Sequence, residues 1–128
     1  MKLKSVITVA GLALLVATPA WAEGDAEKGE KVFKKCKACH MVGENAKKRV
    51  GPPLNDIIGA KAGVQEGYKY SKAMVEAGAG GLMWDDEKLH AYLKKPKDLV
   101  PGGKMAFPGL KKDEDRANVI AYLKKFSQ

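Results

Sequence analysis

Cysteine and histidine are scarce here, with two of each in 128 residues. Two cysteines allow at most one disulfide. Two histidines leave few ways of completing a four-ligand zinc site. No segment alternates polar and apolar residues with a period of two, so nothing supports a sheet, and the fold class expected is all-α. No internal repeat or low-complexity tract divides the chain. The single long apolar run, from about Val6 to Ala17, is roughly a dozen residues, short of the ~20 a bilayer-spanning helix needs.

That run is instead the centre of a three-part pattern. Lys2 and Lys4 precede it, and Ala20-Trp21-Ala22 closes it as a small-x-small cleavage site. Residues 1–22 therefore read as a cleaved secretory signal and residues 23–128 as one domain, a mature chain of 106 residues beginning at Glu23. The expected location is the periplasm. A chain this size buries only part of its surface, so a bound cofactor would help to stabilise it. The net charge is +8, or +6 without the two leader lysines. For an exported protein this disfavours nucleic acid as a partner and favours acidic protein surfaces or anionic membrane surfaces. A monomer without stable membrane insertion is expected.

Gly29, Val32, Phe33 and Cys36 fall at i, i+3, i+4 and i+7, which predicts an amphipathic helix over residues 26–37 capped by Asp25. From Val42 to Tyr70 the glycines and prolines indicate loop. A short helix is expected over Ser71 to Ala77, followed by a flexible Gly78-Ala79-Gly80-Gly81. Asp85, Asp86 and Glu87 open a helix bearing Leu89, Tyr92 and Leu93, which Pro96 stops. Residues 101–108 read as loop, and a last helix from Asp113 presents Val119, Tyr122, Leu123 and Phe126 on one face.

Both cysteines lie in Lys34-Lys35-Cys36-Lys37-Ala38-Cys39-His40-Met41. Three chemistries use such a cluster. A redox dithiol sits at the start of a helix after a strand, whereas Cys36 falls at a helix end with no strand before it. A structural disulfide leaves His40 without a role. Zinc needs a fourth ligand, and His90 projects roughly 110° from the Leu89/Tyr92/Leu93 face, where a solvated side chain is expected. Cys-x-x-Cys-His is also the attachment pattern for c-type haem, in which both thiols bond the macrocycle and the histidine takes an axial position on iron. This last chemistry uses every residue of the cluster. For the opposite axial position Met41 is too close to His40, while Met74 and Met83 sit among core-type residues. Met105, in a loop bounded by proline and glycine, is the best-placed sulfur.

Cys36-Lys37-Ala38-Cys39-His40, Gly51-Pro52, Tyr70, Trp84, the Tyr92-Leu93 helix and Pro101-Gly102-Gly103-Lys104-Met105 resemble class I c-type cytochromes, in particular bacterial cytochrome c2 and mitochondrial cytochrome c, over residues 24–127. The resemblance implies the class I cytochrome c fold, with helices and loops wrapped around one covalent haem. It also implies terminal helices crossing at Gly29/Phe33 against Val119/Tyr122. By the same resemblance His40 and Met105 are the axial ligands and the Pro52 carbonyl orients His40. Tyr70 and Trp84 then reach a haem propionate, and Tyr92 lies near the Met105 sulfur. Ala60, Met74 and Gly103 depart from residues common in the family, and Gly78–Gly81 resembles a small insertion.

The function implied is electron transport without enzymatic catalysis, between a cytochrome bc1 complex and a photosynthetic reaction centre, terminal oxidase or periplasmic reductase. Lys34, Lys35 and Lys37 flank the attachment motif. Lys94, Lys95, Lys97, Lys104, Lys111 and Lys112 flank the Met105 loop, and the two sets are expected to dock an acidic partner. Lys124 and Lys125 read as an ordinary solvated face. A haem with a labile sixth position, serving catalysis or gas sensing, is the alternative, and a haem-free dithiol or metal module is a third.

Overall fold

Asp25 and Asn118, 93 positions apart, are joined by a 2.8 Å bond from the Asp25 backbone N–H to the Asn118 side-chain carbonyl. That bond links the first and last helices. The computed structural model describes residues 7–13 and 23–128. The leader read in residues 1–22 lies outside the described residues except for 7–13, which form no helix or strand. The described residues form five helices: α1 (Ala26–Phe33), α2 (Lys72–Ala79), α3 (Asp86–Lys94), α4 (Pro96–Leu99) and α5 (Asp113–Lys124). The class is all-α. Among the described residues the sole β feature is an isolated bridge between Lys61 and Met83.

Local chemistry sets the helix starts. Asp25, Ser71 and Asp85 each accept a bond from the backbone N–H three residues on, at 3.1, 3.1 and 2.7 Å. Each cap contributes about 1 kcal/mol. Helix α5 lacks a side-chain cap but carries Asp113, Glu114 and Asp115 in its first turn, where the helix dipole favours negative charge. Pro96 ends α3 and, at the first position of α4, also begins the next helix, because its fixed φ suits that position. That short helix is not anticipated by reading Pro96 only as a stop.

Three expectations are corrected. The first helix was expected to reach residue 37, but α1 ends at Phe33 and tightens through i→i−3 bonds such as Cys36 N–H to Phe33 O, 2.8 Å. Gly78 and Ala79 are helical rather than a flexible linker. Gly78 is buried against the Ala62 carbonyl, where a Cβ would overlap, so a long-range contact requires glycine at this helical position. His90, expected in solvent, is 5% exposed. Its helix packs on α5 as well as on the core beneath Leu89, and His90 borders a cavity with Asp86, Ala117, Ile120 and Lys124. Burial, reinforced by the Arg116 charge, lowers its pKa.

Helices α1 and α5 cross at Gly29. Phe33 and Tyr122 meet there at 5.3 Å between ring centroids, and Tyr122 meets Phe126 edge-on at 5.1 Å. Phe33, Leu110, Val119, Tyr122 and Leu123 form one core cluster; Ala62, Trp84, Leu89 and Ile120 form a second. Complete burial of Phe33 and Val119 contributes roughly 1.5–3 kcal/mol each. Two polar residues of α5 are buried with them. Asn118 bonds Asp25, while the Arg116 guanidinium donates to the Leu110 carbonyl and pairs with Asp113.

A Cβ on Gly29 would overlap the Asn118 carbonyl and meet the Tyr122 Cβ at 2.8 Å. Alanine gains up to about 1 kcal/mol in helix propensity, but separating two packed backbones costs about 3 kcal/mol. Gly29→Ala is therefore expected to lower the melting temperature by roughly 10 °C. An unchanged melting curve would show that the crossing tolerates a methyl group.

Candidate functional site

The turn after α1 gathers the cluster. The backbone N–H groups of Cys39 and His40 both bond the Cys36 carbonyl, at 3.1 and 2.9 Å. Cys36, Cys39 and His40 are thereby presented from one turn, with all three half-buried. The following loop folds back along this turn: Gly51 N–H donates to Cys39 O at 2.9 Å and Leu54 N–H to Met41 O at 3.0 Å.

Gly51 is buried beneath the His40 ring, where a Cβ would lie 2.4 Å from Cε1 and 2.8 Å from Nδ1. One residue further, the Pro52 carbonyl lies 2.7 Å from His40 Nδ1. A carbonyl only accepts, so the proton belongs on Nδ1 and the Nε2 lone pair is left for a metal. Burial lowers the His40 pKa more than the Pro52 bond raises it, which favours the neutral, ligating imidazole.

The thiols point away from redox chemistry of the dithiol type. Cys36 and Cys39 are not joined in a disulfide. Burial, with a further contribution from Cys39, pushes the Cys36 thiol up to about 11, whereas a reactive dithiol needs a depressed pKa. Among the described residues no group of three His, Cys, Asp or Glu side chains is arranged to hold a metal ion, so zinc gains no support. Two thiols and one oriented imidazole on a single turn fit a covalently anchored haem.

Met105 is half-buried in the loop after α4. The Tyr92 hydroxyl donates to its sulfur at 3.8 Å, within reach for a sulfur acceptor. Burial pushes the Tyr92 phenol up to about 12, so it remains a neutral donor at physiological pH. Trp84 packs on Tyr92 with centroids 4.8 Å apart. It is fixed by its backbone, with Trp84 N–H to Ala60 O and Gly59 N–H to Trp84 O both 2.8 Å. Tyr70 stands edge-on to Tyr68 at 4.8 Å, and burial raises its pKa. Half-buried Leu54, Ile57, Leu93 and Leu99 supply apolar surface suited to a macrocycle. Tyr68 has no place in the sequence reading, although Gly67-Tyr68-Lys69-Tyr70 puts two aromatics in a loop rich in glycine. All nine lysines of the expected docking set are exposed.

A family model described as cytochrome c matches residues 26–127. Cytochrome c2 of Rhodomicrobium vannielii is 51% identical over 117 residues, covering 91% of each chain. Cytochrome c2 of Agrobacterium tumefaciens is 52% identical over 101 residues, 79% of this chain and 91% of that one. The solved structure of cytochrome c2 from Rhodospirillum centenum superposes with a TM-score of 0.79 at 41% identity, covering 82% of this chain and all of the other.

Gly51→Ala tests the seat of His40. The added methyl must displace the ring or the loop, at an expected cost of about 1–3 kcal/mol and a shifted His40 imidazole resonance. A variant with an unaltered melting temperature and resonance would show that His40 does not rest on Gly51.

Proposed function

This chain belongs to the cytochrome c family and stands close to the bacterial cytochromes c2, and on that footing we propose that it is a periplasmic carrier passing single electrons between membrane redox complexes. It is an electron-transfer protein rather than an enzyme, and its cofactor is haem c. The observation that carries the proposal is a pair of oriented donors, His40 held by the Pro52 carbonyl and Met105 held by the Tyr92 hydroxyl.

When bound, the haem supplies a reversible one-electron couple whose potential is raised by His/Met ligation. The chain does the rest. Cys36 and Cys39 would anchor the macrocycle, and His40 Nε2 and the Met105 sulfur would hold the iron. An iron held by two of this chain's own residues would suit outer-sphere electron transfer. Tyr70 and Trp84 are assigned to a propionate, and Tyr92 is a neutral donor that steadies the thioether. Export is proposed to remove residues 1–22, leaving a monomeric domain of residues 23–128.

The partners proposed are a cytochrome bc1 complex as donor and a reaction centre or terminal oxidase as acceptor. Recognition is assigned to Lys34, Lys35, Lys37, Lys94, Lys95, Lys97, Lys104, Lys111 and Lys112. Of these, Lys95 has an acidic neighbour, Asp98 at 3.7 Å, in an exposed pair that contributes little. The set therefore remains available to steer an acidic surface.

Electron transfer from a purified cytochrome bc1 complex is expected to slow at least roughly tenfold between low and high salt, because added ions screen steering charges. Lys35→Glu and Lys97→Glu should slow it at low salt, whereas Lys125→Glu should not. A rate indifferent to salt, or equal slowing by all three variants, would remove the assigned docking surface.

A further inference from the structure

The Met105 loop has unusually little backbone support. Among the described residues no backbone–backbone hydrogen bond involves residues 104–109; the flanking bonds are Gly103 N–H to Val100 O and Leu110 N–H to Leu93 O, 3.1 and 2.7 Å. Its position must then depend on side chains. Phe107 packs on the core cluster and Met105 lies beneath Tyr92. A third is Lys104, whose ammonium donates to the Lys69 carbonyl and lies 4.5 Å above the centroid of the Tyr68 ring.

Tyr68 is bound at its other end. Its hydroxyl donates to the Val50 carbonyl at 2.8 Å, and Val50 immediately precedes the Gly51 on which the His40 ring rests. A single side chain thus spans from the support of one donor to the neighbour of the other. We infer that Tyr68 is a positioning residue that latches the Met105 loop to the His40 loop, and so sets how readily Met105 leaves the iron. This inference rests on the proposed assignment of Met105 as an iron ligand.

The two halves of the latch are of different kinds. The hydroxyl bond fixes the ring against the Val50 loop, and Tyr70, packed edge-on at 4.8 Å, limits its rotation. The ring face then attracts the Lys104 ammonium, an interaction worth roughly two- to fivefold in an equilibrium at a partly exposed site. Lys104 adjoins Met105 in sequence, so releasing it loosens the backbone that carries the sulfur.

The test is the limiting rate at which imidazole enters the oxidised, haem-loaded protein, since an added ligand must wait for Met105 to leave. Amide exchange at Gly51 and Met105 provides a second readout. Tyr68→Leu and Lys104→Met are each expected to raise the limiting rate roughly two- to fivefold. Both lose the ring–ammonium contact, Tyr68→Leu also the Val50 bond and Lys104→Met also the Lys69 bond, so the double variant should exceed either single one yet fall short of their product. Tyr68→Phe keeps the ring and loses only the Val50 bond, so its rate should fall between the wild type and Tyr68→Leu, with faster exchange at Gly51. Fully additive effects of Tyr68→Leu and Lys104→Met, or no effect of either, would overturn the latch. Met105→Ala separates the two levels. If the wild type admits imidazole as freely as Met105→Ala, the ligand assignment fails. If only Met105→Ala opens the iron, the assignment stands and the latch alone is wrong.

Discussion

The contact on which the structure depends is the crossing of α1 over α5 at Gly29, where a backbone carbonyl occupies the space of a missing side chain. Both arms of the site start from this junction. Along α1 the chain passes from Phe33, packed on Tyr122, into the turn that presents Cys36, Cys39 and His40. At the start of α5, buried Arg116 holds the Leu110 carbonyl, where the chain leaves the Met105 loop. Removing Arg116 would leave the buried Leu110 carbonyl without its donor, a larger penalty than losing an exposed pair such as Lys124 with Asp86. The attachment turn and the loop bearing the sulfur are thus supported by the same helix.

What could be read from sequence was local. Cys36-x-x-Cys39-His40 needs no knowledge of the fold, because its spacing within one turn already implies its chemistry. Asp25, Ser71, Asp85 and Pro96 mark helix ends by bonding, or failing to bond, their own neighbours. The residues misread or missed answer to distant partners. Gly78 is packed against Ala62 too closely for a side chain, and His90 is buried because α3 leans on α5. Asn118 and Arg116 are polar residues whose burial makes sense only beside Asp25 N–H and Leu110 O. Periodicity identifies one face of a helix, but a helix with two neighbours buries a wider arc than one face. Tyr68 was passed over for a related reason: its partners, Val50 and Lys104, belong to two different loops.

The polar chemistry near the two donors shares one feature. Tyr92 is held neutral by burial, and the neutral form of His40 is favoured by the same cause. The lysines are placed differently, all nine of the docking set lying exposed to solvent. Neutral Tyr92 and His40 keep charge out of the half-buried interior, while the proposed docking charges lie at the surface. This division suits a protein whose substrate is the surface of another protein.

The central claim is that both axial positions are filled by this chain's own residues. Its most direct test is the visible spectrum of the protein matured in a host able to attach haem, recorded oxidised, reduced, and reduced under carbon monoxide. Sharp low-spin bands that carbon monoxide leaves unmoved are the expected result. A spectrum displaced by carbon monoxide would mean an open or labile position, and a protein emerging from active maturation without haem would contradict the account at its foundation.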